Sequence, residues 1–215
     1  MEIVNTLIRF FQSGGLFMYP ILVVMAVGFA IAIERFMFLR KSRKENITSW
    51  DSLFPMLQSG KFREAMTAAG DSKAAVAKIL SYGLSRLISA RRREDIETAM
   101  EEGLMEIVPR LERRTHYLAT FSNISTLLGL LGTVSGLIGA FAAVANADPA
   151  TKAELLSASI SEAMNCTAFG LGAAIPMMLM YSFLQSKTTE MVDSIEMASV
   201  KFLNILNEQP GGVKA

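Results

Sequence analysis

Three polar side chains stand in or beside long apolar stretches, where they could handle a proton or a metal cation. Thr133 lies inside one uncharged stretch, Thr167 lies inside another, and Glu162 directly precedes the stretch that contains Thr167. An ionisable group at membrane depth is costly and usually functional, whereas a glutamate in the headgroup layer costs little. Hydroxyl groups either line a polar interior or join membrane helices by hydrogen bonds, and the residue types leave both interpretations open.

Small residues accompany both threonines at helical spacing. On the first segment the stripe comprises Ser122, Thr126, Gly129, Thr133, Gly136 and Ala140, and on the second it comprises Ala163, Thr167, Gly170 and Ala174. Four glycines, Gly129, Gly132, Gly136 and Gly139, would each cost about 1 kcal/mol in a soluble helix. In a bilayer, small residues let neighbouring backbones approach closely. The stripes therefore predict tight helix packing, the lining of a polar interior, or both.

Glu162 and Thr167 are five residues apart, so their directions on a helix differ by about 140°. They cannot both face one narrow pore unless the helix is distorted or Glu162 reaches a neighbouring subunit. Each of the three long apolar runs lacks Asp, Glu, Lys, Arg and His near its middle. Because a proton relay at that depth needs a titratable group, a proton pathway through this chain would have to borrow one from a partner.

Other chemistry finds little support in the sequence. The single cysteine, Cys166, cannot form an intrachain disulfide, and the single histidine, His116, cannot build a histidine-ligated metal site within one chain. Phosphate-binding and hydrolase motifs are absent from the sequence. The net charge of +1 does not indicate a nucleic-acid partner. We therefore expect no catalytic residues, no metal and no resident cofactor, and we do not expect an enzyme.

The composition predicts an all-α integral membrane protein. Hydrophobic residues make up 51% of the chain, the mean hydropathy is +0.35, and three uncharged runs exceed the about 20 residues that a spanning helix needs. The predicted layout is an amphipathic lead (1–15), a first membrane helix (16–34), a helical loop (35–115), a second membrane helix (116–146), a short loop (147–154), a third membrane helix (155–186), and a C-terminal amphipathic helix with a tail (187–215). Pro20 falls in the first turn of the first span, and Pro176 predicts a kink within the third.

Charge distribution predicts the orientation of the three helices. Of the 21 Lys and Arg residues, 16 fall between Arg35 and Arg114 and three more lie from Lys187 onward. Basic residues concentrate on the cytoplasmic side of membrane proteins. We therefore expect a periplasmic N-terminus, a large cytoplasmic loop into which the membrane helices extend, and a cytoplasmic C-terminus.

Three motifs in this order resemble the MotA/TolQ/ExbB proton-channel family, and within it the ExbB/TolQ branch. They are MYPILVVMAVGFAIAIER at 18–35, LLGLLGTVSGLIGAF at 127–141 and ISEAMNCTAFGLGAAIPMMLMY at 160–181. The resemblance covers nearly the whole chain, from about residue 14 to 207. Three motifs in the right order and topology are far more specific than any one of them.

The resemblance implies an ion pathway formed by Thr133, Thr167 and Glu162, the first two matching the pore threonines of the family. It implies a pentameric ring in the inner membrane that encloses the single helices of two ExbD- or TolR-like partners. Each partner helix would carry an aspartate, which supplies the carboxylate missing from this chain. Protons moving along the threonine-lined interface would then drive work on a TonB- or TolA-like protein that spans the periplasm.

Departures from the family pattern keep alternatives open. Ser125-Thr126 replaces an Ala-Pro pair, Ser135 replaces an aromatic residue, and Asn165-Cys166 replaces apolar residues before Thr167. The added polar atoms fit a sodium-coupled variant. A motility stator of MotA type is a further alternative, although four spans would be expected for it. A membrane scaffold without conduction would make the threonines tolerant positions.

Overall fold

The computed structural model describes residues 10–11, 13–87, 92–145 and 147–208. Regular structure in these ranges is entirely helical. The helices are α1 (Met18–Gln58), α2 (Phe62–Asp71), α3 (Ala75–Leu87), α4 (Arg93–Glu112), α5 (His116–Ala145) and α6 (Lys152–Glu208). Most of the predicted amphipathic lead and the C-terminal tail lie outside the described residues.

Three helical stretches are long and apolar enough to cross a membrane, as the sequence predicts. They lie within Met18–Gln58, Arg93–Ala145 and Lys152–Glu208. Only 22%, 17% and 28% of the residues in their apolar windows are buried. Large side chains such as Leu131, Ile138 and Phe141 are at least half exposed. A surface this apolar is unstable in water and suits lipid or neighbouring membrane helices.

Pro20 and Pro176 occupy different positions in their membrane helices, one near the start and one in the interior. Pro20 lies in the first turn of α1, where a missing N–H leaves no hydrogen bond unmade. Pro176 lies inside α6, which runs as one helix from Lys152 to Glu208. Pro20 therefore fits the start of a helix. Pro176 has no N–H to donate, so the carbonyl of Gly172, four residues earlier, lacks its usual hydrogen bond within the helix.

The chain divides into two compact units. The first, here called the apolar unit, comprises Met1–Glu34 and Arg114–Phe183, and the second, the charged unit, comprises Arg35–Arg113 and Leu184–Ala215. Each unit has packing of its own.

The apolar unit is built from the start of α1, from α5 and from the first half of α6. Its core is small: Ile21, Cys166, Ala173 and Met177 are buried, and partly buried residues pack against them. Those surrounding residues are Phe17, Met25, Phe121, Leu128 and Phe169. A core of this size leaves the outer faces of all three helices uncovered.

The charged unit has a larger core of aliphatic and aromatic side chains. Its fully buried members include Leu53, Leu57, Ile79, Leu80, Leu84, Ile96, Met100 and Phe202. Val76, Ile79, Leu80 and Leu84 follow the helical period expected of an amphipathic helix, as do Met191, Ile195, Phe202 and Leu206 near the end of α6. Arg35 is buried and donates to the carbonyl of Leu111 in the last turn of α4.

Candidate functional site

Helices α5 and α6 approach each other closely along a line of small residues. A Cβ atom added to Gly129 would lie 3.3 Å from the Cα atoms of both Gly170 and Thr167. Further along, a Cβ on Gly136 would lie 2.9 Å from the Cβ of Ala163, and a Cβ on Gly132 would meet the side chain of Cys166. Gly129 is therefore a contact point between two helix backbones, whereas Gly132 and Gly136 make room for the side chains of Cys166 and Ala163.

Not every small residue of the predicted stripes lies in that contact. Ala174 is buried, but among the described residues no atom from another part of the chain lies within 4 Å of a Cβ added to Gly139. Gly139 instead lines a cavity described below. Four glycines that look equivalent in the sequence thus have different surroundings in the structure.

Two hydroxyl groups connect α5 and α6. The Thr167 hydroxyl donates to the carbonyl of Gly129 at 2.8 Å, and the Ser122 hydroxyl donates to the carbonyl of Ala174 at 2.8 Å. Both bonds join side chain and backbone across the helix contact, as expected where helices pack in a membrane. Thr167 in this chain therefore takes part in helix packing.

Thr133 lies one helical turn beyond Gly129 on α5. Its hydroxyl donates to the carbonyl of Leu130 in the same helix at 2.6 Å. That bond uses the hydroxyl proton and leaves the oxygen able to accept a further hydrogen bond. The structure thus places Thr133 a single turn from the carbonyl that Thr167 contacts, and its assignment to the ion pathway stays a prediction.

Glu162 lies in a different environment from Thr167. Its carboxylate is exposed and rests against Gly15 in the loop before α1, where an added Cβ would collide with it. Thr167 faces Gly129 on α5 instead. This divergence agrees with the angle of about 140° that five residues of helix impose.

A cavity of about 270 Å³ lies beside Glu162. It is lined by Gly14, Gly15, Leu16, Phe17, Gly132, Ser135, Gly136, Gly139, Ala140, Ser159 and Glu162. The sequence alone does not predict that the glycine loop or Ser159 lies beside Glu162. Two sequence features coincide with this cavity: the Ser-Gly-Gly break before the first span, and a serine one helical turn before Glu162.

The polar pair that precedes Thr167 takes part in packing. The Asn165 amide donates to the Ser13 hydroxyl at 3.1 Å, and Cys166 is buried within the core of the apolar unit. Within the described ranges, no group of three or more His, Cys, Asp or Glu residues could hold a metal ion.

Comparison with known proteins agrees with these features. Residues 71–197 match the family model described as the MotA/TolQ/ExbB proton channel family. An ExbB homolog named for biopolymer transport, from Methanothermobacter thermautotrophicus, is 33% identical over 195 residues, which cover 90% of this chain and 68% of that protein. The Tol-Pal system protein TolQ of Haemophilus influenzae is 28% identical over 86% of this chain and 85% of its own length.

A third relative extends the same pattern. The biopolymer transport protein ExbB of Salmonella typhimurium is 29% identical over 172 residues, covering 74% of this chain and 66% of that protein. The matched region of the family model includes α5 and the Thr133 and Thr167 positions. With three candidate spans and relatives of both names, the chain belongs to the MotA/TolQ/ExbB proton channel family, in its ExbB/TolQ-like branch.

Proposed function

We propose that this chain is the ring-forming subunit of an ion-driven energiser in a bacterial inner membrane, and that it is not an enzyme. Five copies enclose the single membrane helices of two partners of the ExbD or TolR kind. Ion flow through this assembly, driven by the proton motive force, does mechanical work on a TonB- or TolA-like protein. Family membership supports the channel role. The relative named for biopolymer transport supports work on a TonB-like protein, and the relative named for the Tol-Pal system supports work on a TolA-like protein.

The observation that carries the proposal is the contrast between hydroxyls and titratable groups in the spans. Thr133 and Thr167 place hydroxyl oxygens within one helical turn of the Gly129 carbonyl. The uncharged runs around them contain no group that could itself take up and release a proton at mid-depth. A carboxylate on a partner helix completes the pathway, because it can accept a proton beside these oxygens.

The same proposal assigns the two sides of the membrane. The segment from residue 35 to 115 and the chain from residue 187 onward lie in the cytoplasm, since 19 of the 21 Lys and Arg residues fall there. The N-terminus and the loop at 147–154 are periplasmic. The translocated ion is H⁺, with Na⁺ as the alternative.

Threonine-to-valine substitutions test the pathway, because valine keeps the shape of threonine and removes the hydroxyl. In a strain that depends on this protein, Thr133→Val and Thr167→Val should reduce energised uptake or envelope integrity to the level of a deletion strain. Thr167→Ser should restore function, since serine keeps the bond to the Gly129 carbonyl. Thr133→Ser should do the same at the other position.

Thr120→Val is the matched control. Thr120 also bonds within its own helix, to the carbonyl of His116, but it is exposed near the start of α5. It should behave as wild type. Full activity of both threonine variants, at normal membrane levels, would make this chain a scaffold and not a channel. Co-purification with a single-span protein that carries a membrane aspartate tests the partner independently.

A further inference from the structure

Two polar groups of the apolar unit face outward from the middle of its membrane-crossing helices. Asn123 is an exposed residue on α5, and its amide is not hydrogen-bonded to any described residue. On α6, Pro176 has no N–H for the carbonyl of Gly172, and Gly172 is exposed as well. Asn123 therefore offers amide N–H donors, and Gly172 offers a carbonyl acceptor that lacks its helical donor.

Both groups lie deep in the span. The charged residue nearest to Asn123 along α5 is Arg114, nine residues earlier, and the one nearest to Gly172 along α6 is Glu162, ten residues earlier. At 1.5 Å per residue these separations are about 13 and 15 Å, which is close to the middle of a hydrocarbon layer of about 30 Å. A polar group without a partner is costly there, because lipid tails neither donate nor accept hydrogen bonds.

The two groups also lie at nearly the same depth. Helices α5 and α6 run in opposite directions across their contact, and the bond from the Ser122 hydroxyl to the Ala174 carbonyl fixes their relative level. Asn123 is one residue after Ser122, and Gly172 is two residues before Ala174, so both are displaced toward the same side of that bond. At 1.5 Å per residue, their levels differ by about 1.5 Å.

Asn123 and Gly172 point to opposite sides of the α5–α6 pair, here called its flanks. A Cβ on Gly170 would lie 2.7 Å from the backbone oxygen of Ser125, so these two residues mark the sides on which the helices face each other. At about 100° per residue, Asn123 lies about 160° around α5 from Ser125, and Gly172 lies about 160° around α6 from Gly170. The amide and the carbonyl therefore cannot pair within one copy.

One flank is bulky and the other is narrow. Asn123 shares its side of α5 with Leu127 and Val134, which are both more than half exposed. Gly172 and Ala168, one turn apart on α6, are both exposed and leave a shallow notch. Small residues let a neighbouring helix approach closely in a bilayer. The notch at Gly172 therefore admits a bulkier helix face to within hydrogen-bonding distance of the backbone.

We propose that the Asn123 amide of one copy donates a hydrogen bond to the Gly172 carbonyl of the next copy, within the membrane. Rotation about an axis normal to the membrane keeps every residue at its depth, so all copies of a ring make this contact alike. The inference rests on the proposed function, because it names the contact that joins neighbouring copies of the ring-forming subunit. A second copy satisfies both groups at once, whereas lipid satisfies neither of them.

The contact is head to tail. A two-fold contact between copies would bring Asn123 against Asn123 and leave both carbonyls of Gly172 without a donor. Contact between unlike flanks instead repeats from copy to copy and closes into a ring. Pro176 has a positioning role in this arrangement, since it frees the carbonyl that the neighbouring amide contacts.

Disulfide cross-linking in native membranes tests the contact. In a Cys166→Ala background, one tagged chain carries Asn123→Cys and a second chain with a different tag carries Gly172→Cys. Oxidation should join the two tags in one dimer, and either chain expressed alone should give none. The Gly172→Cys substitution suits the fold of a single copy, because open space surrounds that position. Leu179→Cys is the matched control on the same flank, about 10 Å further along α6, and should not cross-link to Asn123→Cys.

Subunit exchange measures the hydrogen bond itself. Copies labelled with donor and acceptor dyes are mixed in detergent, and energy transfer reports the exchange rate. Asn123→Ala should raise this rate about tenfold, as expected for the loss of an interhelical hydrogen bond, whereas Asn204→Ala, at an exposed position of the charged unit, should leave it unchanged. In a Pro176→Ala background the restored N–H satisfies the Gly172 carbonyl within its own helix. Adding Asn123→Ala there should change the rate by less than about twofold.

Failure of the Asn123→Cys and Gly172→Cys chains to cross-link would overturn the inference. A dimer of Asn123→Cys with itself, equal cross-linking to Leu179→Cys, or an unchanged exchange rate in Asn123→Ala would do so too. These outcomes are separable from failure of the proposed function. Thr133→Val and Thr167→Val should keep the cross-link while losing energised work. Fully active threonine variants that still cross-link would remove the proposed pathway and leave the contact between copies in place.

Discussion

Glycine serves different contacts in the two units of this protein. In the apolar unit, a Cβ on Gly170 would lie 2.7 Å from the backbone oxygen of Ser125 and 3.0 Å from the Cα of Gly129. In the charged unit, a Cβ on Gly83 would lie 2.8 Å from the sulfur of Met100 and 2.8 Å from the Phe202 ring. The first glycine brings two backbones together, and the second accommodates large side chains.

The surrounding solvent explains this difference. In water, burying apolar area stabilises a helix bundle by about 25 cal/mol per Å², so large side chains fill the space between helices. Lipid tails are as apolar as leucine, so membrane helices associate through close packing and hydrogen bonds. The hydroxyl-to-carbonyl bonds of Ser122 and Thr167 belong to that second mode. The backbone contact at Gly170 fits a lipid surrounding and the side-chain contact at Gly83 fits water, while Gly28 of the apolar unit also accommodates a large side chain, that of Met177.

The largest predicted effect tests the side-chain core of the charged unit. Phe202 is 0% exposed, so Phe202→Ala should leave a cavity and lower the free energy of unfolding by about 3–5 kcal/mol. Hydrogen exchange of the full-length protein in nanodiscs measures this, with faster exchange expected in peptides of α3 and α4. Met197→Ala, at a position 58% exposed on the same helix, should change exchange very little. Equal effects of the two variants would contradict the assignment of Phe202 to a core.

A smaller effect is expected at the backbone contact of the apolar unit. Gly170→Ala places a methyl group against backbone atoms that cannot rotate away, and overpacking of this kind costs about 1–3 kcal/mol. Gly172→Ala, two residues along the same helix, meets open space and should be neutral or stabilising by about 0.5–1 kcal/mol. Unfolding in detergent, followed as the melting temperature of the purified chain, compares the two. If both variants melted alike, close backbone approach would not be what holds α5 against α6.

Several features of this comparison were accessible from the sequence alone. Uncharged runs and the helical period predict three membrane-crossing stretches and the buried faces of α3 and α6. Gly129 and Thr167 could be placed on stripes of small residues. The period carries this information because burial repeats with the turn of a helix. It specifies which face is buried, without specifying what covers that face.

Other features depend on contacts between distant parts of the chain. Gly129 and Gly139 are both helical glycines in one apolar run, yet one touches α6 and the other lines a cavity. Glu162 directly precedes an uncharged stretch in the sequence, but nothing in that pattern indicates that a loop 147 residues away rests against its carboxylate. The Asn165 amide, one of the polar groups that fit a sodium-coupled variant, bonds Ser13, which lies 152 residues away in sequence. No local pattern encodes such pairings.

The last comparison concerns two polar contacts, an exposed one on the charged unit and the Thr167 bond at the α5–α6 contact of the apolar unit. On the charged unit, the Tyr82 hydroxyl donates to Glu106 at 2.5 Å, and Arg110 pairs with the same carboxylate at 2.5 Å. The hydrogen bond from Tyr82, and then the charge of Arg110, hold the pKa of Glu106 below its ordinary value. The bond to Glu106 likewise raises the pKa of Tyr82. Both side chains are exposed, so the pair should affect titration more than stability.

Tyr82→Phe separates these two effects, because it keeps the ring against Gly103 and removes only the hydroxyl. Since the folded pKa of Glu106 is depressed, its contribution to stability is present above the ordinary value of 4.5 and lost as the pH falls through the folded pKa. The contribution of Tyr82, whose pKa is raised, is lost only as the pH rises above 10.0.

In Tyr82→Phe, carboxyl NMR should show the pKa of Glu106 moving up, and by more than in Arg110→Gln. The melting temperature near neutral pH should hardly change, because water replaces a lost partner on an exposed surface but cannot do so for Thr167 at the α5–α6 contact. A large loss of stability in Tyr82→Phe would mean that the charged unit also relies on single polar bonds, and the distinction between the units would fail.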